Sequence, residues 1–199
     1  MPISRTIREQ VTCQLRDEVI AGAIAPGAVL RENDLATRFG VSRGPIRDAF
    51  LQLSNEGYLA YQANRGVTVR HPPDQSDREF IAELRRQIEL HVVTKGVSQV
   101  TNDGQSQVED SLAALHEACL AGDLAAIKRC DLDFHEAILS ACGGESLLPA
   151  WKQLCSRMIL VYDRFSDIGL VHAEHQQIYE AFRSEDLDGL IKALSDNIT

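Results

Sequence analysis

Several side chains in this sequence stand at spacings that can do chemistry. Asp131 and His135 lie four apart in DLDFHEAIL, which puts them one turn apart on one helix face. A carboxylate and an imidazole so placed can grip one divalent metal ion, with His175 of AEHQQIYEAF as a third ligand. His172, three residues earlier, would line the same side. The same Asp–His spacing also suits an exposed ion pair, and the spacing leaves both readings open. Arg85 precedes Glu89 by four, which fits either an intrahelical pair on a wet surface or an inward guanidinium that grips an anion. Arg157 is a pocket candidate from its spacing on a later helix. Arg43 and Arg47 share a helix face near that helix's start, and arginine forks suit guanine or phosphate.

The arginines need a frame, and residues 30–69 supply one: LRENDLATRFGVSRGPIRDAFLQLSNEGYLAYQANRGVTV. The order of a short helix, a tight turn, a second helix and a hairpin is that of a winged helix-turn-helix. Gly40 can take the left-handed conformation that ends the first helix. Ser42 is a good N-cap for the second, and Pro45 falls in its first turn, where a missing N–H costs nothing. Val41 and Ile46 can staple that start, and Ile46, Ala49, Phe50 and Leu53 give the helix a buried face. Asn55-Glu56-Gly57 stops it. Strands are expected at 58–61 and 66–70, with Arg65 beside Gly66 on the connecting tip, placed to reach a minor groove or phosphate. An earlier helix is marked by Ile7, Val11, Leu15 and Val19 and ends at Gly22; Pro26-Gly27 then turns the chain into Val29 and Leu30.

Charge divides the chain. The net charge of −9 is unusual for a DNA binder, but residues 1–70 hold nine arginines against seven acids. Residues 71–199 hold eleven bases against twenty-two acids, a net −11, and phosphate would repel that half. No apolar run of about 18 residues is present, so no membrane partner is expected. The start lacks a basic-then-apolar signal, which predicts a cytoplasmic protein. Five cysteines, odd in number and without a CxxC pair, read as reduced buried thiols.

His71-Pro72-Pro73-Asp74 marks a boundary, giving expected domains at 1–71 and 74–199. Beyond it the periods are helical, with six helices predicted near 75–98, 104–121, 123–142, 145–166, 168–184 and 186–198. Gly122, Gly143-Gly144 and Gly169 punctuate them, and Asp123 and Asp186 look like acidic caps. The predicted fold is therefore mainly α: an N-terminal winged helix-turn-helix with a small β-hairpin, followed by an all-α helical bundle.

Two resemblances sharpen these readings. The stretch from LRDEVIAGAIAPGAVL to NRGVTV resembles the GntR family of bacterial transcription regulators, on Gly22, Pro26-Gly27, Leu30, Leu35-Ala36, Val41-Ser42-Arg43, Pro45, Arg47, Leu53, Glu56-Gly57 and Gly66. It implies that Arg43 and Arg47, with Ser42 between turn and helix, contact an operator, and that Gly66 lies at the minor groove. Family members often carry a basic residue in the preceding helix, where Asn33 and Arg38 are the candidates. Residues 78–198 resemble the FCD ligand-sensing domain of the FadR branch, on AELRRQIE, DLDFHEAIL and EHQQIYEAFRSEDLDGLIKAL. That resemblance implies a divalent metal such as zinc, nickel or manganese on Asp131, His135 and His175. The family's fourth ligand is a histidine, and this sequence has Asn197 there; an amide oxygen is a poorer ligand for zinc or nickel than imidazole. A second departure is Gly144, where many members have asparagine. The resemblance also implies that Arg85 points inward onto a carboxylate effector. Glu89, Arg157 and His172 are further effector-site candidates, from their spacing.

The expected function is a homodimeric repressor of double-stranded operator DNA controlled by a small organic acid, and not an enzyme. Two alternatives are a metal-dependent hydrolase domain fused to a DNA-binding head, and an architectural DNA binder without an effector. Turnover of substrates would mark the first, and an apolar bundle interior the second.

Overall fold

The computed structural model describes residues 6–62, 66–159 and 168–198, and it divides the chain into two compact units, Met1–Pro72 and Pro73–Thr199. The described residues are mostly helical, with a small three-stranded antiparallel sheet in the first unit. That agrees with the predicted fold class.

The first unit opens with α1, Ile7–Ile20. Thr6 and Glu9 close a capping box over its first turn, the Thr6 hydroxyl accepting from Glu9 N–H and the Glu9 carboxylate from Thr6 N–H. Val11, Leu15 and Val19 are buried, whereas Ile7 is 56% exposed, so the apolar stripe begins one turn later than its spacing suggests. Next come β1 (Val29–Leu30), α2 (Glu32–Phe39) and α3 (Arg43–Asn55). Gly40, at φ 66°, makes the tight turn between the helices. β2 (Leu59–Gln62) and β3 (Gly66–Val69) form the wing, and β1 adds to its outer edge in the order β1-β3-β2. Ile46, Ala49, Phe50 and Leu53 of α3 are buried, as are Leu15 of α1 and Leu59 and Val69 of the wing. Ser42 occupies the N-cap position of α3 with extended backbone, but its side chain makes no capping bond. The predicted cap is therefore right in position and wrong in mechanism: the exposed hydroxyl is left to other partners.

The regular elements of the second unit are all helices among its described residues. Its elements are α4 (Gln75–Gly96), a 3-10 turn (Val97–Gln99), α5 (Asn102–Ala121), α6 (Leu124–Ala141), α7 (Leu148–Met158), α8 (Ile168–Arg183) and α9 (Leu187–Asn197). Asp74, Thr101, Asp123 and Asp186 cap four of these helices by accepting backbone N–H bonds. α7 starts later than position 145, with Pro149 in its first turn, the place where proline's missing donor is harmless. The rest of the predicted 145–166 helix lies partly outside the described residues. Val93, Val108, Phe134, Ile138, Leu139, Trp151, Ile178 and Leu190 form the main core. All five cysteines are free thiols, three of them buried. No helix among the described residues is long and apolar enough to cross a membrane.

Candidate nucleic-acid interface and metal centre

On the first unit, burial of one face of α3 sends Arg43 and Arg47 to the exposed opposite face, at the helix start. A groove between the starts of α2 and α3 and the wing is lined by Arg31, Glu32, Asn33, Arg43, Tyr61 and Gly66. Gly66 holds φ 84° at the start of β3 with open space where a Cβ would point, so the backbone there can approach a ligand closely. Arg65, the other wing candidate, lies outside the described residues. Acids meet several of the arginines. Glu32 receives Arg47 through two bonds, Nε to Oε1 at 3.1 Å and Nη2 to Oε2 at 2.9 Å. Arg38 donates to Glu18 and lies over the Phe39 ring, 5.0 Å from its centroid. Arg16 forks onto Glu56 at 2.9 and 2.7 Å. Asn33 is exposed.

In the second unit, five helices deliver polar groups to one buried point: Arg85 and Glu89 from α4, Asp131 and His135 from α6, Trp151 from α7, His175 from α8 and Asn197 from α9. Their exposures are 2, 1, 6, 0, 1, 1 and 4% respectively. One ligand atom each from Asp131, His135 and His175 lies within 4.8 Å of the others. The apolar ring of Phe134 stands edge-on to both histidines and helps to wall them in.

Hydrogen bonds orient both imidazoles. His175 Nδ1 lies 2.8 Å from the carbonyl oxygen of Val171, to which it must donate; the neutral ring then carries its lone pair on Nε2. That Nε2 stands 3.0 Å from Asp131 Oδ1, not aligned for an N–H···O bond. His135 Nδ1 donates to Glu89 Oε2 at 2.7 Å, and its Nε2 faces Asn197 Oδ1 at 3.1 Å. The Asn197 amide donates its N–H to Glu174 Oε2 at 3.1 Å, which keeps the carbonyl oxygen toward His135. With both rings neutral, two pairs of acceptors face each other in a buried space; a protonated His135 instead donates to both Glu89 and Asn197. A shared cation relieves both acceptor pairs, and the donor set of two imidazole nitrogens, a carboxylate oxygen and an amide oxygen fits a divalent metal. Fixing the outer ring nitrogen on a carboxylate or carbonyl is how ligating histidines are held.

Glu89 is the hub on the other side. Its Oε1 accepts from Arg85 Nε and from Trp151 Nε1, both at 2.7 Å. Burial raises the Glu89 carboxyl, but His135 and Arg85 outweigh it and hold it below the ordinary carboxylate range. Asp131 behaves alike: burial pushes it up, and His175, His135 and Arg85 bring it well down.

Residues 80–199 match the FCD domain, and residues 7–69 match the family described as bacterial regulatory proteins, gntR family. The chain belongs to the GntR family. Its FCD domain alone spans more than half of the sequence. Across 199 residues it is 24% identical to the HTH-type transcriptional repressor RspR of Escherichia coli K12, covering 98% of this chain and 87% of that one. It is 24% identical to the gluconate operon transcriptional repressor of Bacillus licheniformis, with 94% and 80% covered. A solved GntR transcriptional regulator from Rhodococcus sp. RHA1 superposes with a TM-score of 0.76 at 26% identity, over 96% of this chain and 93% of that one. GntR relatives are transcriptional regulators, not enzymes, which removes the hydrolase alternative.

Within this GntR chain the structure brings Asp131, His135, His175 and Asn197 together, with Arg85 and Glu89 behind them. Arg85 is not on a wet surface: it is 2% exposed and pairs with Glu89 inside the unit. Arg157 sits in the last turn of α7 with 38% of its side chain exposed, 4.0 Å from Asp77. His172 is half-buried and meets the His116 ring at a tilt, with centroids 4.1 Å apart; burial, His116 and His175 lower its pKa. Sequence reasoning missed Trp151, Glu174, His116, Glu18 and Glu32. Only Trp151 carried a signal, as the single tryptophan, whose indole N–H needs a partner when buried.

Proposed function

We propose that this chain is a cytoplasmic transcriptional repressor that binds double-stranded operator DNA as a homodimer, and that a small organic acid bound in the helical unit sets its operator affinity. Arg43 and Arg47 read bases from the start of α3. Ser42, Asn33, Arg38, Arg65 and Gly66 make the supporting contacts to backbone and minor groove.

Asp131, His135 and His175 hold a divalent metal, with Asn197 Oδ1 as fourth donor. The observation that carries this reading is the buried convergence of Asp131, His135 and His175, whose ligand atoms lie within 4.8 Å of one another, with Asn197 Oδ1 3.1 Å from His135 Nε2. When bound, the metal supplies a positive charge on which a carboxylate can rest. Arg85 adds a second cation close by, and His172 stands on the same helix as His175. The unit is strongly acidic and repels anions at long range, so local cations must supply the attraction. A sugar acid is a fitting class, and one relative is named for a gluconate operon. The ligand acts by binding one arrangement of the DNA-reading heads more tightly than the other. A purely architectural role fits poorly, because a dimerising tail has no use for Arg85, His135 and His175 at 0–2% exposure.

Elemental analysis of protein purified without chelator or affinity-tag metal tests the centre. One divalent ion per chain is expected. Protein that arrives empty and then takes up neither zinc, nickel nor manganese overturns it.

A further inference from the structure

The Glu32–Arg47 pair has a geometry that a solvated surface contact does not require. Glu32 is the first residue of α2 and Arg47 lies in the second turn of α3, so the pair crosses the turn of the motif. The carboxylate takes the guanidinium side-on, through Nε at 3.1 Å and Nη2 at 2.9 Å. A guanidinium has five N–H donors, and this contact uses two of them. The end edge, formed by Nη1 and the second Nη2 hydrogen, is not used by this contact and can pair bidentately with guanine O6 and N7. Arg47 remains 59% exposed in this pose, and Glu32 31%.

We propose that Glu32 is a positioning residue for DNA reading: it grips one edge of the Arg47 guanidinium so that the other edge is presented, already ordered, to a guanine of the operator. This rests on the assignment of Arg47 as a base reader. An exposed ion pair adds little to fold stability, so its value lies elsewhere. An arginine loses much rotamer freedom when it docks, and a side chain held in its docking orientation loses less. The same carboxylate lies near Arg43, and on a docked duplex its negative charge would repel phosphate of any sequence. Glu32 therefore weakens binding to all DNA while strengthening the choice of guanine. A carboxylate that merely masked Arg47 until DNA displaced it would lower every affinity alike and leave base choice unchanged.

The test uses the full chain and a duplex selected from a randomised pool by the parent protein. Fluorescence anisotropy then compares that duplex, a scrambled duplex of equal length, and the three base-pair replacements at the guanine whose preference Arg47→Ala abolishes. Glu32→Gln is expected to bind the scrambled duplex more tightly than the parent does, and to lose about tenfold of the guanine preference, the worth of one good bidentate contact. Glu32→Asp is expected to keep part of that preference. A Glu32→Gln protein that gains the same factor on every duplex, with guanine preference intact, overturns the inference while leaving Arg47 as a reader. An Arg47→Ala protein that keeps every base preference overturns both.

Discussion

Glu89 accepts hydrogen bonds from three different helices' worth of side chains, and that makes it the residue least able to change. Removing it leaves the Arg85 guanidinium buried without its carboxylate, so Glu89→Ala should destabilise the helical unit by about 3–5 kcal/mol in chemical denaturation. The pH dependence follows from the same contact. The Glu89 carboxyl is held at about 2 in the fold against 4.5 ordinarily. A depressed carboxyl adds stability that is complete above its unfolded value and fades as pH falls through the folded one. Metal-free protein should therefore lose stability from about pH 4.5 down to about 2, and Glu89→Gln should flatten that slope; an unchanged acid limb would contradict the account. At the metal end, Asn197→His should tighten zinc or nickel binding in a competition titration, because imidazole replaces an amide oxygen. The i,i+4 spacing of Asp131 and His135 made these two legible in sequence. Asn197 was placed only by resemblance. Glu174, which turns its amide, was not legible at all, since the contact spans 23 positions and two helices.

The helices carry the cluster through a few close approaches. A Cβ built at Gly96, the last residue of α4, would stand 1.9 Å from the carbonyl oxygen of Cys142, just past the end of α6. Backbone cannot yield there cheaply, so Gly96→Ala should cost about 1–3 kcal/mol or more, read as a lower melting temperature of the helical unit. A variant as stable as the parent would mean that α4 and α6 pack otherwise. Elements with local signals were readable: Gly40 for the turn, Asp123 and Asp186 for helix starts, the apolar face of α3 for its burial. β1 was not, because two residues are no pattern; Val29 and Leu30 become a strand only by pairing with Thr68 and Val67 across the fold. The later start of α7 was legible in Pro149 but outweighed by Gly143-Gly144, which read as the nearer break. The face that Arg157 occupies depends on how α7 lies against α4, which its spacing alone does not specify.

At the scale of the molecule, charge and symmetry set the expectations. The DNA-reading unit is weakly basic and the helical unit strongly acidic, so operator binding should fall steeply with salt. Light scattering at micromolar concentration should return the mass of two chains, since a pseudo-palindrome needs two recognition helices about one helical turn apart; a monomer that binds a palindrome tightly would remove the dimer. The central claim is that the buried cluster controls the DNA-reading heads. It is tested most directly by operator affinity, measured by anisotropy on the selected duplex while metal-loaded protein is titrated with a panel of small organic acids, for the parent and for His175→Ala. Linkage between two sites is commonly about 5- to 150-fold, and a change of that size is expected for the parent with at least one acid. The His175→Ala protein, still folded and still bound to the duplex, should show none. A His175→Ala protein whose operator affinity responds to the acid as the parent's does would place control outside the cluster and contradict the account.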